Sequence, residues 1–338
     1  MPGDSGVVTS AAPLLADLLD GLRVVQIPMR VRFRGVTVRE AVLIRGPKGW
    51  GEFAPFPEYE DVEASRWLAA AVEAGWLGWP TPVRDAIPVN ATVPAVPAGE
   101  VAGVLRRYDG CTTAKVKVAE RGQRLQDDVD RVAEVRDAMG PGAQIRVDAN
   151  GGWTVPEAVT ALRRLAAFGL EYAEQPCAGV EELASLRVAL AHNGIDVLVA
   201  ADESIRRASD PMRVVREEAA DVIVVKAAPL GGVRSALSIA QECGLPTVVS
   251  SALDTSVGIR AGLALAAALP RLPFACGLST LELMAGDVSD DSLVPRAGSI
   301  AVRQLTVEPD LLDRWQAPAD REQWWRERVI RCHAVLLR

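Results

Sequence analysis

Five charged side chains stand where short apolar runs end: Lys117, Asp148, Glu174, Asp202 and Lys226, at intervals of 31, 26, 28 and 24 residues. Each interval is the length of one strand followed by one helix. A charge at the end of an apolar strand is costly to desolvate, so its recurrence at near-constant spacing needs a cause. A closed barrel of parallel strands supplies one, because it brings the C-terminal end of every strand to one mouth. The order amine, acid, acid, acid, amine then describes a metal cage with a lysine on each flank.

The surrounding pattern agrees with a barrel. Val89 to Val93, Thr113 to Val118, Gln144 to Val147, Glu171 to Ala173, Val197 to Ala200, Val222 to Val225, Thr247 to Val249 and Phe274 to Gly277 read as eight strands, each but the last followed by a helical pattern. Leu125, Val129, Val132, Val135 and Met139 show the helical period, which Gly140-Pro141 ends. Repeated βα alternation means a parallel sheet, and eight units favour an α/β fold of the (β/α)8 type over an open sheet. Ahead of it, Leu22 to Ile27, Val36 to Arg45 and Trp50 to Phe53 read as a β-meander, with a helix from Asp61 to about Leu77. The expected division is an α+β module over 1–85, a barrel over 86–304 and a C-terminal segment over 305–338. Seven of the eight tryptophans lie outside the barrel repeat, in the first and last parts of the chain. Large aromatics dominate the core of a small module, so the tail is expected to return and pack on the N-terminal part.

A net charge of -7 without a dense Lys/Arg block argues against nucleic acid or an anionic membrane as the main partner. Five scattered cysteines with no C-x-x-C pair fit a reducing compartment and single thiols. Met1 to Ser10 is small and polar, without the basic start and apolar run of a secretory signal, and no apolar stretch reaches transmembrane length. The cytoplasm is the expected address.

Lys115 and Lys117 sit two apart in Thr113-Ala-Lys-Val-Lys-Val118 and so point to the same side of a strand. At roughly 7 Å and an effective dielectric of about 20, two ammonium groups repel by about 2 kcal/mol, enough to lower a lysine pKa by over one unit. A lysine so tuned can act as a base near neutrality. Asp148, Glu174 and Asp202 at one mouth would repel by about 4 kcal/mol per pair in the same dielectric, which calls for a bound cation. All-oxygen ligation without histidine or cysteine favours Mg²⁺, with Mn²⁺ as a substitute. Lys226 should face ligand or metal ligands, with Schiff-base chemistry as the rival use. The two histidines, His192 and His333, are not at strand ends. Gly231-Gly232 opens a helix whose free amides could hold an anion.

These residues together resemble the enolase superfamily, in which Lys or His bases work beside Mg²⁺. The Lys-Val-Lys pair, Asp148, Glu174, Asp202 and Lys226 are similar to its muconate-lactonising subgroup, and the N-terminal module with Trp50-Gly-Glu52 resembles its capping domain. Asp148-Ala-Asn150, Ser250-Ser-Ala-Leu-Asp254 and Gly277-Leu-Ser-Thr280 are most similar to the actinobacterial dehydratases of menaquinone biosynthesis. No Asp-x-Asp pair stands between Gly277 and Leu281, as dipeptide epimerases would have, and the Met29 to Gly35 loop reads as short for that subgroup. The resemblance implies syn dehydration of 2-succinyl-6-hydroxy-2,4-cyclohexadiene-1-carboxylate to o-succinylbenzoate. N-succinylamino acid racemisation or a related epimerisation is the alternative, and a Schiff-base or noncatalytic ligand-binding barrel the second. In this reading Lys117 is acid and base, Lys226 remains cationic, Lys115 tunes Lys117, and Lys115, Asn150 and Ser251 face substrate.

Overall fold

The computed structural model describes residues 13–207 and 210–338, so Met1 to Ser10, read above for a targeting signal, lie outside the described residues. The N-terminal module opens with three antiparallel strands, β1 (Arg23–Phe33), β2 (Val36–Gly46) and β3 (Gly49–Phe53). Met29 to Phe33, expected as loop, is strand, although its register is broken between Pro28 and Phe33. The hairpin turn is left with two residues, Arg34 and Gly35, both at positive φ (52° and 80°). That matches the turn whose twist suits adjoining strands, with the unfavourable first position taken by an arginine.

The helix Asp61–Val72 runs on as a π-turn, Glu73–Leu77, and stops at Gly78 with φ 69°. Its buried face, Ala64, Trp67, Leu68 and Ala71, packs with Val42, Ile44 and Phe53. The C-terminal helix Ala319–Leu336 joins the same core through Trp325, whose ring stands edge-on to Phe53 at 5.8 Å, and through Val329 and Cys332.

Two strands form an antiparallel pair at the foot of the second part, β4 (Ala86–Pro88) with β12 (Ser299–Ala301). Between them in sequence come β5 (Ala91–Val93), β6 (Thr113–Lys117), β7 (Gln144–Asp148), β8 (Leu170–Glu174), β9 (Leu198–Ala201), β10 (Val222–Val225) and β11 (Thr247–Val249). These seven are parallel neighbours in chain order. The expected eighth strand, Phe274 to Gly277, is reduced to two residues: Cys276 bridges to Val89 and Gly277 to Ser250, closing the curve. Pro273, just before it, has no N–H with which to extend a ladder. The helix expected after β9 is likewise two short turns, Glu203–Arg206 and Arg213–Arg216.

Alternation places Tyr172, Ala200, Val222, Val224 and Val248 on the lumen side, beneath the residues that end the strands. Among them Arg146 is fully buried, bonded to Glu171 at 2.5 Å and to the Ala275 carbonyl at 2.7 Å, with its guanidinium 4.8 Å from the Tyr172 ring.

Two carboxylates of the N-terminal module plug into barrel helices. Glu73 accepts from the Val233 and Arg234 amides that open the helix Val233–Cys243, and from the Arg234 guanidinium at 2.7 Å. Gly231-Gly232, expected to offer its amides to a free anion, thus belongs to a helix start already taken by the chain's own carboxylate. Glu52 accepts from the Thr255 hydroxyl at 2.5 Å and the Gly258 amide at 3.0 Å, at the start of the helix Ser256–Ala268. The unpaired amides that open a helix call for such acceptors. Beside Glu52, Arg39 is buried over the Phe56 ring at 4.6 Å and donates to the carbonyls of Leu253 (2.9 Å) and Ala252 (3.2 Å). It thereby fixes the loop after β11, where Leu253 holds a positive φ of 63°.

Candidate active site

Strand register brings the expected charges into one row. Lys117 is the cross-strand partner of Asp148, and Asp148 of Glu174; Asp202 follows β9 and Lys226 follows β10. All five, and Lys115, are at most 9 % exposed. Lys117, Asp148, Glu174, Asp202 and Lys226 share a mouth because each is the last residue of its strand or the next one on, and Lys115 lies one lumen-facing position below Lys117.

Their pairing differs from the expected cage. Lys115 Nζ donates to both oxygens of Glu174, at 2.8 and 3.0 Å, and stands 3.5 Å from Asp148. Lys226 Nζ donates to Asp202 at 2.5 Å, and Arg206 Nε reaches the other oxygen of that carboxylate at 3.1 Å. Lys117 is different: its Nζ is buried with no hydrogen-bond partner among the described residues, and its contact to Asp148 is 3.7 Å. Among the described residues no three acid, histidine or cysteine side chains stand together in an arrangement that would hold a metal as they are. The expectation that mutual repulsion alone demands a cation is therefore corrected: amines and the Arg206 guanidinium supply counter-charge within the chain.

Protonation follows these contacts. Burial favours the neutral acid at Asp148, but Lys117 and then Lys115 outweigh it and hold the carboxyl at about 2. At Asp202, Lys226 and Arg206 likewise overcome burial and keep the carboxyl well below the usual range. Glu174 goes the other way, pushed up to about 7 by burial and by Asp148 and Asp202, with Lys115 opposing. Burial would lower Lys115, but Glu174 and Asp148 hold it above the ordinary lysine value. Burial pushes Lys117 down, against Asp148, with Arg34 and then Lys115 contributing in the same direction. Lys115 is thus a minor influence on Lys117, because its charge is matched by Glu174; desolvation is the main cause. Burial also lowers Lys226, while Asp202 resists.

The donor chemistry still fits a hard divalent cation: three buried carboxylates, no nitrogen or sulfur ligand beside them among the described residues, and one acid, Glu174, raised to about 7 by burial and then by its acidic neighbours. Asp148, Glu174 and Asp202 are the residues that could hold it, with Lys115 giving way.

Asn150 turns back at φ 45°, its amide donating to Asp148 Oδ1 at 3.0 Å and its side-chain nitrogen to Glu203 at 3.3 Å, which leaves its Oδ1 buried and unpartnered. Ser251 Oγ donates to the Gly277 carbonyl at 2.8 Å and lies 2.8 Å from Thr280 Oγ1. Both line a cavity of about 30 Å³ at the mouth, with Lys115, Asp148, Asp202 and Lys226. Phe33, Arg34 and Phe56 cover it from the N-terminal module, and Thr92, in register with Lys115, adds a buried hydroxyl without a partner. Volume alone would mislead: a groove of 630 Å³ lined by Leu105, Tyr108 and Met139 carries one charged side chain, Arg106.

Sequence reasoning missed Thr92, Arg34, Glu203 and Arg206. Arg206 was within reach as the i+4 partner of Asp202, and Glu203 as its neighbour; Glu203 gathers Arg206 (2.5 Å) and Arg34 (2.9 Å). Thr92 follows from aligning β5 with β6, whereas nothing local marks Arg34.

Residues 24–75 match the family described as enolase N-terminal domain-like, and residues 99–309 that described as enolase C-terminal domain-like. The chain is 57% identical to an o-succinylbenzoate synthase of Thermobifida fusca, over 89% of this chain and 96% of that one. It is 55% identical to that of Mycolicibacterium smegmatis, over 97% and 100%. Among solved structures, a muconate lactonizing enzyme from Pseudomonas fluorescens superposes with a TM-score of 0.73 at 21% identity, covering 88% of this chain and 98% of that one. An N-succinyl Arg/Lys racemase from Bacillus cereus gives 0.68 at 19%, covering 88% and 97%. These two share the fold.

Proposed function

We propose, from the premise that the chain belongs to the o-succinylbenzoate synthase family of enolase-like hydro-lyases, that it eliminates water from 2-succinyl-6-hydroxy-2,4-cyclohexadiene-1-carboxylate in menaquinone biosynthesis, in the cytoplasm. The observation that carries the mechanism is the contrast among the three lysines: Lys115 and Lys226 are hydrogen-bonded to carboxylates, and Lys117 alone has a buried, unpartnered amine. Among the described residues no helix is long and apolar enough to cross a membrane.

Mg²⁺, or Mn²⁺ in its place, would be held by Asp148, Glu174 and Asp202 and would supply Lewis acidity at the substrate carboxylate. Lys117, lowered by burial, takes the proton from the carbon beside that carboxylate. The C–H electron pair becomes the new ring double bond as the C–O bond breaks, and Lys117 returns the same proton to the departing hydroxide, so water leaves from one face. Lys226, fixed by Asp202, remains an ammonium across the ring and stabilises the developing anion. That tight pairing weighs against a Schiff-base role, which needs a free amine. Lys115 would trade Glu174 for the incoming substrate, and Asn150 Oδ1 and Ser251 would orient it. In the proposed division of labour, 86–304 carries the chemistry, while 1–85 and 305–338 form the cap that closes it.

The test is appearance of the aromatic product from the cyclohexadiene substrate. Turnover is expected with Mg²⁺, lost on chelation and restored by Mg²⁺ or Mn²⁺. Undiminished turnover after exhaustive chelation would remove the metal from the reading. Rapid exchange of the Cα proton of N-succinyl amino acids in deuterated water, without dehydration, would favour the racemase alternative.

A further inference from the structure

A cleft of about 460 Å³ lies away from the mouth, between the Gly46–Gly49 turn, the stretch after the π-turn, the helix Ser256–Ala268 and the segment after β12. Its charged lining is all cationic: Lys48, Arg260 and Arg303. Arg303 is bonded to Asp291 at 2.9 Å, and Lys48 is exposed. Arg260 is half-buried and, among the described residues, has no carboxylate partner; its Nη2 donates to the Gln304 side chain at 2.8 Å, and its Nε is buried without an acceptor among them. Burial alone draws this guanidinium below its ordinary value, with no acid to offset the loss of water.

Arg260 stands 4.8 Å over the Trp79 ring, whose own indole N–H is also buried and unpartnered. The remaining wall is apolar, with Leu263, Ala264 and two prolines. Buried donors normally find acceptors, and a planar guanidinium suits a carboxylate. Concave, largely apolar clefts of this volume at domain boundaries are where small ligands bind.

We propose that this cleft is a second ligand site that takes a small aryl carboxylate, its acid group on Arg260 and Lys48 and its ring along Trp79 and Leu263. Neither the barrel mouth nor the elimination is involved, so the proposal stands or falls separately from the function above.

The probe is 1-naphthoate, titrated into the full-length protein while the indole ¹H–¹⁵N resonances are followed; the Trp79 signal is identified by its disappearance in Trp79→Phe. Naphthoate should move that resonance saturably. The midpoint should rise at least tenfold in Arg260→Gln and several-fold in Lys48→Gln, a substitution at an exposed side chain that leaves folding intact. Inorganic phosphate and naphthalenemethanol should leave the resonance in place. A Trp79 signal that does not respond, or one that responds equally in both variants, would overturn the site. Phosphate as effective as naphthoate would overturn the ligand class.

Discussion

Two sets of buried carboxylates can be compared, those at the barrel mouth and those between the cap and the barrel. Glu52 and Glu73 take backbone amides at helix starts, partners that cannot rotate away. Glu174 and Asp202 are bonded by lysines and an arginine, and Asp148, beyond one bond from the Asn150 amide, faces Lys115 and Lys117 at 3.5 and 3.7 Å; the ends of these side chains can be re-partnered by a substrate or a cation. Burial is the same in both places, at most 7 % exposure for each of the five. The difference lies in the donors: each acid between cap and barrel takes two or more main-chain amides, whereas the acids at the mouth face cationic side-chain ends that can move.

The strongest way to break this comparison is Glu174→Gln. Loss of one mouth carboxylate should lower kcat/KM by roughly 10²–10³-fold, the usual scale for removing one electrostatic element of an active site, with little change in melting temperature. A stability loss without an activity loss would place Glu174 with the structural set. Gly232→Ala should do the reverse. A β-carbon there would collide with Glu73 Oε2, on a backbone at φ 126°, so stability should fall by about 2–4 kcal/mol in denaturant titration while kcat of the folded protein holds.

Glu52 sharpens the comparison through pH. Burial and Asp254 push its carboxyl up to about 8, above the ordinary 4.5, so the folded state keeps a proton that the unfolded chain releases. Stability from this group is full below about 4.5, declines as pH rises toward 8 and is level beyond. Glu52→Gln should flatten the fall in melting temperature between pH 5 and 8.5; an equally steep fall in the variant would assign the dependence elsewhere. The smallest effect is expected at Ser251→Ala. That hydroxyl is already bonded to Gly277, so about 1 kcal/mol of stability and a few-fold rise in KM are expected, with kcat nearly unchanged.

The mouth was legible because charge at the end of an apolar strand is conspicuous, and the strand-helix rhythm counts the units that carry it. Pairing was not legible. Lys115 and Lys117 are equivalent by alternation, and only the placement of Glu174 on the next strand but one decides which amine is matched. Contacts between the two parts were hidden for a similar reason: Glu73 and Val233 are distant in sequence, so no local pattern links them. The eighth strand was overread, since an apolar run of four supports a strand but does not require a ladder longer than Cys276 and Gly277. Arg34 reaches the mouth from the cap and Arg39 reaches the loop after β11, where the meander pattern reports only which side of the sheet is apolar.

The central claim, that the unpartnered Lys117 moves the proton, is tested most directly by Lys117→Ala at saturating Mg²⁺, following formation of o-succinylbenzoate from the cyclohexadiene substrate. The account predicts a fall in kcat of at least about 10²–10⁴-fold, the range for a positioned general acid-base group, with the fold intact. Product formed at the wild-type rate would contradict it.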